Sequence, residues 1–140
     1  MGDHYRFLAV AGQTEGRYAI WHAVVHPGGG PPPHVHSREE EGFYVLSGEV
    51  AFYADGNKVV GTPGTFLNLP VGCEHRFQNE TDAPAEMLIL VAPAGVEAMF
   101  TRVGVEATDT ETPPGVDHDE ITRLLAIAPE YGIEIRHGQT

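Results

Sequence analysis

A chain of 140 residues, 41% hydrophobic and 20% charged, suits a single globular domain rather than two. Its 20 acidic residues outnumber 8 basic ones, and a formal net charge of -12 repels phosphate backbones and anionic membranes, so neither nucleic acid nor a membrane is an expected partner. The single cysteine, Cys73, excludes an internal disulfide, the N-terminal MGDHYRFLAV reads as no signal peptide, and no apolar run approaches the roughly 18 residues of a membrane helix, so a cytoplasmic, soluble protein is expected.

Along the chain, Tyr5 to Val10 reads as a first short strand and Gly12 to Gly16 as the turn after it. Arg17 to His26 is richer in β-formers; when it is extended, Tyr18, Ile20, His22, Val24 and His26 share one side and Ala19, Trp21, Ala23 and Val25 the other. Neither side is uniformly polar, which suits a strand between a second sheet and a cavity. Pro27 to Pro33 (PGGGPPP) combines glycines that permit a tight turn with three prolines that hold the next residues extended, a stiff lead-in to His34 and His36.

Strands are predicted at Phe43 to Leu46, Glu49 to Tyr53, Val59-Val60, Phe66 to Leu69, Glu74 to Asn79, Ala85 to Val91 and Glu97 to Val103, separated by glycine-bearing turns. Many short strands at this spacing predict an all-β antiparallel sandwich or barrel. The tail differs: Asp117 is positioned to cap a helix over His118 to Ala128, with Ile121, Leu124, Leu125 and Ala128 on one face, and Ile133 to Ile135 can add a terminal strand.

The chemistry concentrates on histidine and glutamate. His34 and His36, two apart, place both imidazoles on one side of an extended chain. Taken alone, that alternation is equally consistent with ordinary core or surface histidines. Glu41, after the charged bend Ser37 to Glu40, and His75 on a later strand would complete a cluster of three nitrogens and one carboxylate oxygen. Such a donor set suits Fe, Mn, Ni, Co or Zn better than a soft or an all-oxygen metal.

Two stretches carry a resemblance that decides between these readings. Gly28 to Gly48, GGGPPPHVHSREEEGFYVLSG, resembles the first motif of the cupin superfamily, Gly-x5-His-x-His-x(3 or 4)-Glu-x6-Gly, through Gly28, His34, His36, Glu41 and Gly48. Gly64 to Asn79, GTFLNLPVGCEHRFQN, resembles the second, Gly-x5-Pro-x-Gly-x2-His-x3-Asn, through Gly64, Pro70, Gly72, His75 and Asn79. The resemblance implies a double-stranded β-helix (jelly-roll, cupin barrel) with a short C-terminal helix. It implies one cupin domain over 1–140, its barrel spanning about 5–103 and an extension spanning 104–140. It also implies one divalent transition metal per chain (Fe, Mn, Ni or Co, with Zn acquired on purification) held by His34, His36, Glu41 and His75. The spacing to Gly48 favours Glu41 over Glu39 and Glu40 as the carboxylate ligand.

The phrase PPPHVHSREEEGFYVLSGEV is similar to small bacterial cupins of the quercetin 2,3-dioxygenase type. That similarity implies a dioxygenase acting on a flavonol or another small-molecule enol, with Glu41 taking the substrate proton. A metal-dependent isomerase or lyase working through an enolate, and a metabolite-binding cupin without turnover, are the alternatives. Tyr18, Ile20, His22, Val24, Phe43, Val45, Phe66 and Phe77 are expected pocket walls, although a β-barrel core calls for most of the same residues. His22 and His26 are candidates to border the open end, Cys73 is expected to pack at a bend, Arg38 and Arg76 are expected to be solvated counter-charges, and Asn79 suits a turn as well as a site role. A homodimer is expected, through the apolar face of the C-terminal helix and the first strands.

Overall fold

The computed structural model describes residues 2–109, 111–115 and 117–136. The last four residues of the expected extension, 137–140, lie outside the described residues. Among the described residues, ten strands occur in chain order: β1 (Asp3–Ala9), β2 (Ala19–Val25), β3 (His34–His36), β4 (Glu40–Ser47), β5 (Val50–Ala54), β6 (Asn57–Gly61), β7 (Phe66–Leu69), β8 (Glu74–Gln78), β9 (Ala85–Ala92) and β10 (Ile133–Ile135). Helix α1 (Ala11–Thr14) follows β1, while α2 (Glu97–Val103) and α3 (His118–Ile127) lie between β9 and β10.

The strands form two five-stranded antiparallel sheets, ordered β1-β2-β9-β4-β7 and β10-β3-β8-β5-β6, packed as a jelly-roll double-stranded β-helix. Register sets which residues meet inside. Trp21 stands opposite Ile89, and Ile89 opposite Phe43, so one row of inward side chains crosses the first sheet. Phe52 and Phe77 answer from the second sheet, with the Phe43 ring 5.2 Å and 5.7 Å from theirs. This interlocking of aromatic rings at stacking distances fills the barrel centre and forms the floor on which the polar end rests.

Residues 97–103, expected as a strand, form a helix instead. Val96, Met99, Phe100 and Val103 recur at helical spacing, and Met99 and Val103 are 3% and 5% exposed. A strand would have put Met99 and Phe100 on opposite faces; the helix turns both onto the barrel. Buried Glu97 anchors this end, its Oε1 accepting from Gly95 N at 2.6 Å and its Oε2 from Ala11 N at 2.8 Å. Phe100 thereby lands edge-on to Tyr5, at 5.1 Å, and 5.4 Å from Trp21.

The C-terminal helix forms as expected, with Asp117 accepting from Asp119 N at 2.9 Å. Arg123 Nε donates to Val103 O and fastens α3 to α2. The chain then returns through a 3-10 turn, Ala128–Tyr131, into β10, which pairs with β3: Ile133 opposite His36, Glu134 opposite Val35, Ile135 opposite His34. Ser37 Oγ and Arg38 donate to Gly132 O and Glu130 O, so Arg38 serves as a tie to the tail. Among the described residues, no helix is long and apolar enough to cross a membrane.

Candidate metal centre

His34 and His36 come from β3, Glu41 from the start of β4 and His75 from β8, where it pairs directly with His34. The approach is stiffened from the sequence upward. Gly28 N donates to Asn79 O and Asn79 N to Gly29 O, docking the glycine turn on the end of β8. Gly30 then passes so close that an added Cβ would lie 2.0 Å from Phe77 O, with φ at +133°. The proline run leads from there straight into His34.

The four side chains converge: one ligand atom from each lies within 4.8 Å of the others, and all four residues are buried, at 7%, 4%, 6% and 3% exposure in chain order. Each histidine is held by its Nδ1. His34 Nδ1 donates to Pro32 O at 2.8 Å, His75 Nδ1 to Cys73 O at 3.0 Å, and His36 Nδ1 to the Glu39 carboxylate at 2.5 Å. With Nδ1 donating to an oxygen in each case, each imidazole, when neutral, is fixed with the lone pair on Nε2.

The donor set fits a cation. His36 Nε2 is buried without a hydrogen-bond partner among the described residues. His75 Nε2 lies 2.8 Å and His36 Nε2 3.6 Å from Glu41 Oε1. Lone pairs facing a carboxylate repel unless a proton or a metal ion lies between them, and one ion answers all four groups together. The environment keeps His34 and Glu41 in binding form, while at His36 it favours the proton that a metal ion must displace. Burial, reinforced by His75 and His36, drives His34 down to about 3. Burial pushes Glu41 upward, but the close contact with His75 and the neighbouring imidazoles outweigh it and hold the carboxyl below its ordinary range. For His36, burial pulls the pKa down while the bond to Glu39 and the charges of Glu41 and Glu39 lift it above the ordinary value.

The cluster opens into a cavity of about 960 Å³, whose lining includes Tyr5, Trp21, Phe77 and Phe100 beside the ligands His34, His36 and Glu41. Its wall from α2, α3 and β10 comes from beyond the motif-bearing region.

The cupin-domain family profile matches residues 21–91, which hold the whole four-residue cluster. The chain belongs to the cupin family. A cupin of this kind is similar to the quercetin 2,3-dioxygenase of Bacillus subtilis, 26% identical over 74% of this chain and 31% of that protein. It is also similar to the quercetin 2,3-dioxygenase of Aspergillus japonicus, 33% identical over 59% of this chain and 25% of that one. The chain thus spans a third or less of the curated relatives it matches. Among solved structures, a protein described as a predicted oxalate decarboxylase from Thermotoga maritima superposes with a TM-score of 0.62 at 22% identity, over 65% of this cupin and 80% of that chain, a likeness of fold alone.

The expected pocket walls divide. Phe77 lines the cavity, and His22 and Val24 border it from the outer face of β2, where His22 bonds to Glu86 at 3.0 Å. Phe43 and Val45 turn inward but belong to the packed core, at 1% and 0% exposure. Tyr18 and Phe66 are 43% and 63% exposed, and with Ile20 they fall on the outside of the first sheet. For Tyr18 and Ile20 the cause is β2, which presents its other set of residues, Ala19, Trp21, Ala23 and Val25, to the interior, each fully buried, while Phe66 opens β7 opposite the exposed Tyr44. Small alanines on either side of one tryptophan were the available signal, since only that set leaves room for an aromatic ring inside a barrel.

Other expectations resolve locally. Glu40 is exposed and bonds to Asn68, whereas Glu39, three residues after His36, is the unexpected partner that orients it. Asn79 is a buckle: fully buried, it donates to Val25 O and Ala83 O and accepts from Thr81. His26 pairs with His4 at 2.9 Å, away from the cluster. Cys73 is buried beside Asp55, and burial together with that carboxylate lifts its thiol to about 11, a protonated packing residue. Arg76 stacks on Tyr53, 3.9 Å from the ring centre.

Proposed function

We propose that this cupin is a metal-dependent dioxygenase acting on a flavonol or another enol-bearing aromatic molecule. The observation that carries the reading is the opening of a three-histidine, one-glutamate cluster directly into a cavity walled by aromatic rings. The similarity to two quercetin 2,3-dioxygenases points to the same chemistry.

His34, His36, Glu41 and His75 would hold one Fe, Mn, Ni or Co ion. When bound, it supplies Lewis acidity toward a substrate enol oxygen and a site for dioxygen chemistry. The chain's own residues do the remainder. Glu41 Oε1, at the mouth of the cluster, accepts the enol proton; Glu39 and the carbonyls of Pro32 and Cys73 keep the three imidazoles in one tautomer; the aromatic wall excludes water from the reacting face. The cavity lining sets Asp3, Glu41, Glu86, Glu106 and Glu120 against a lone Arg6, a charge balance that gives poor purchase to a phosphorylated sugar and weighs against an isomerase of such substrates.

The test is oxygen uptake. Protein reconstituted separately with Fe(II), Mn(II), Co(II) and Ni(II) should consume dioxygen in equimolar step with loss of flavonol absorbance. Product formation unchanged without oxygen would assign an isomerase or lyase, and tight binding with no product in metal-replete protein would assign a binding protein.

The same reading makes the cupin a cytoplasmic homodimer. Support comes from the outer face of the first sheet, where Tyr44, Leu46 and Phe66 are 41%, 41% and 63% exposed. On α3, by contrast, Leu124 is spent on the chain's own core. Sedimentation equilibrium gives the mass that decides it.

A further inference from the structure

Trp21 is the sole tryptophan of the chain, fully buried, and it lines the cavity beside the metal cluster. Its indole Nε1 has no hydrogen-bond partner among the described residues. Tyr5 lines the same cavity from β1, its ring centre 5.9 Å from that of Trp21. Phe100 of α2 completes the wall, edge-on to Tyr5. A buried donor with no acceptor is costly, and none of the polar side chains that share the lining, His34, His36 and Glu41 among them, takes the indole N–H. Burial, with Asp3 and Glu41 near, holds the Tyr5 phenol far above its ordinary range, so it remains a donor.

We infer that Trp21 and Tyr5 are specificity-determining residues of this site, their indole N–H and phenol O–H donating hydrogen bonds to oxygen atoms of a planar aromatic ligand that lies against the Phe100 wall. The inference rests on the reading of this cavity as the substrate site, and it adds the groups that orient the substrate. Two donors on an aromatic wall select a flat molecule that carries peripheral oxygens. A plain hydrocarbon leaves both donors unanswered, and a polyol leaves the rings uncovered. Phe100 lies outside the 21–91 region that matches the family, so this part of the selectivity belongs to the chain's own C-terminal segment.

Zinc-loaded protein under argon provides the test, because zinc is redox-inert and binding is read without turnover. The probe is 3-hydroxyflavone, followed by quenching of the single tryptophan in the wild-type protein and in Tyr5→Phe, and by calorimetry in Trp21→Phe; gluconate is the non-aromatic comparison. Saturable quenching is expected in the wild type, with each variant weakening Kd by roughly three- to tenfold, the size of one lost hydrogen bond, while zinc stoichiometry stays unchanged. Gluconate should not bind. Wild-type affinity in both variants would overturn the inference and assign the indole N–H to a neighbouring ring face. Gluconate binding as tight as that of the flavonol would overturn it too. Tyr5→Phe removes one oxygen only, so it decides alone should Trp21→Phe not fold. The outcomes separate from those of the oxygenase reading. Flavonol binding through Tyr5 and Trp21 without oxygen uptake in any reconstituted form sinks the oxygenase alone. Oxygen uptake with unchanged Kd in both variants sinks this inference alone.

Discussion

His36 donates its Nδ1 hydrogen to Glu39 across 2.5 Å, and each of the two residues is only 4% exposed. A carboxylate behind a ligating imidazole fixes the ring and raises its basicity, and loss of such a partner typically costs about 10–100-fold in metal affinity. Glu39→Gln should lower zinc affinity by that amount in a competition titration with a chromophoric chelator. Glu40→Gln, in an exposed neighbour bonded only to Asn68, should leave it unchanged. Equal affinities in the two variants would remove Glu39 from the site.

Chelator-treated protein should lose stability toward acid. His34 falls from an ordinary 6.5 to about 3, and His4, under burial and the nearby His26, also lies below its ordinary value. Between the folded and the ordinary value the unfolded chain binds more protons, so this stability is present above pH 6.5 and is lost as pH falls toward 3. Glu41 adds to the acid limb, its contribution present above 4.5 and lost as pH falls through its depressed folded value. His36 acts in the opposite sense: its raised value gives stability that is full below 6.5 and fades as pH rises through the folded pKa. Asp3 acts in that sense too, its carboxyl lifted by burial to about 6. Thermal melts from about pH 7.5 to about pH 4 should still show Tm falling on balance, because the large drop of His34, joined by lowered His4 and Glu41, outweighs the raised His36 and Asp3. A Tm that rises on acidification would refute the assignment.

Much of this site is legible in the sequence, for a physical reason: turns and ligands are constrained one residue at a time. Gly28, Gly48, Gly64 and Gly72 all take positive φ, as turn glycines should, and the spacing to Gly48 singles out Glu41 from three consecutive acids. What stays hidden depends on the third dimension. Alternation in β2 defines two faces without saying which is inside, and Ile20 and Val24 on the outer one are as apolar as a core. α2 is only seven residues long, too short for its period to stand out against neighbouring strands. Glu39 reads as one of a solvated acidic run until the bend after β3 folds it back under His36. The cavity wall is the extreme case, since Tyr5, Trp21 and Phe100 come from three elements that only the sheet order and the tail bring together.

Gly30 is where backbone geometry positions the ligands. Its φ of +133° is one that a side chain rarely adopts, and a Cβ would lie 2.0 Å from Phe77 O. Gly30→Ala should cost more than the roughly 1–3 kcal/mol of a strained backbone alone, because β3 and β8 must also separate. Gly56→Ala, at φ +83° with nothing within 4 Å, should stay near about 1 kcal/mol. Urea titrations compare the two, and equal losses would mean that the close crossing of Gly30 over β8 does not hold in solution.

Ile133 links the tail to the metal strand. It is 4% exposed, stands opposite His36 in the β10–β3 pairing and lines the cavity. Removing its side chain leaves a gap against the strand that carries two ligands, so Ile133→Ala should cost about 2–5 kcal/mol. Looser pairing also lets His36 swing away from the ion, so zinc should leave faster. Leu125→Ala, on α3 at 42% exposure, is the control, expected within about 0.5 kcal/mol of wild type. Zinc release into excess chelator, followed beside the unfolding curve, separates the two effects. A destabilised Ile133→Ala that releases zinc at the wild-type rate would make β10 a brace for the fold alone, and the metal strand would owe its position entirely to its pairing with β8.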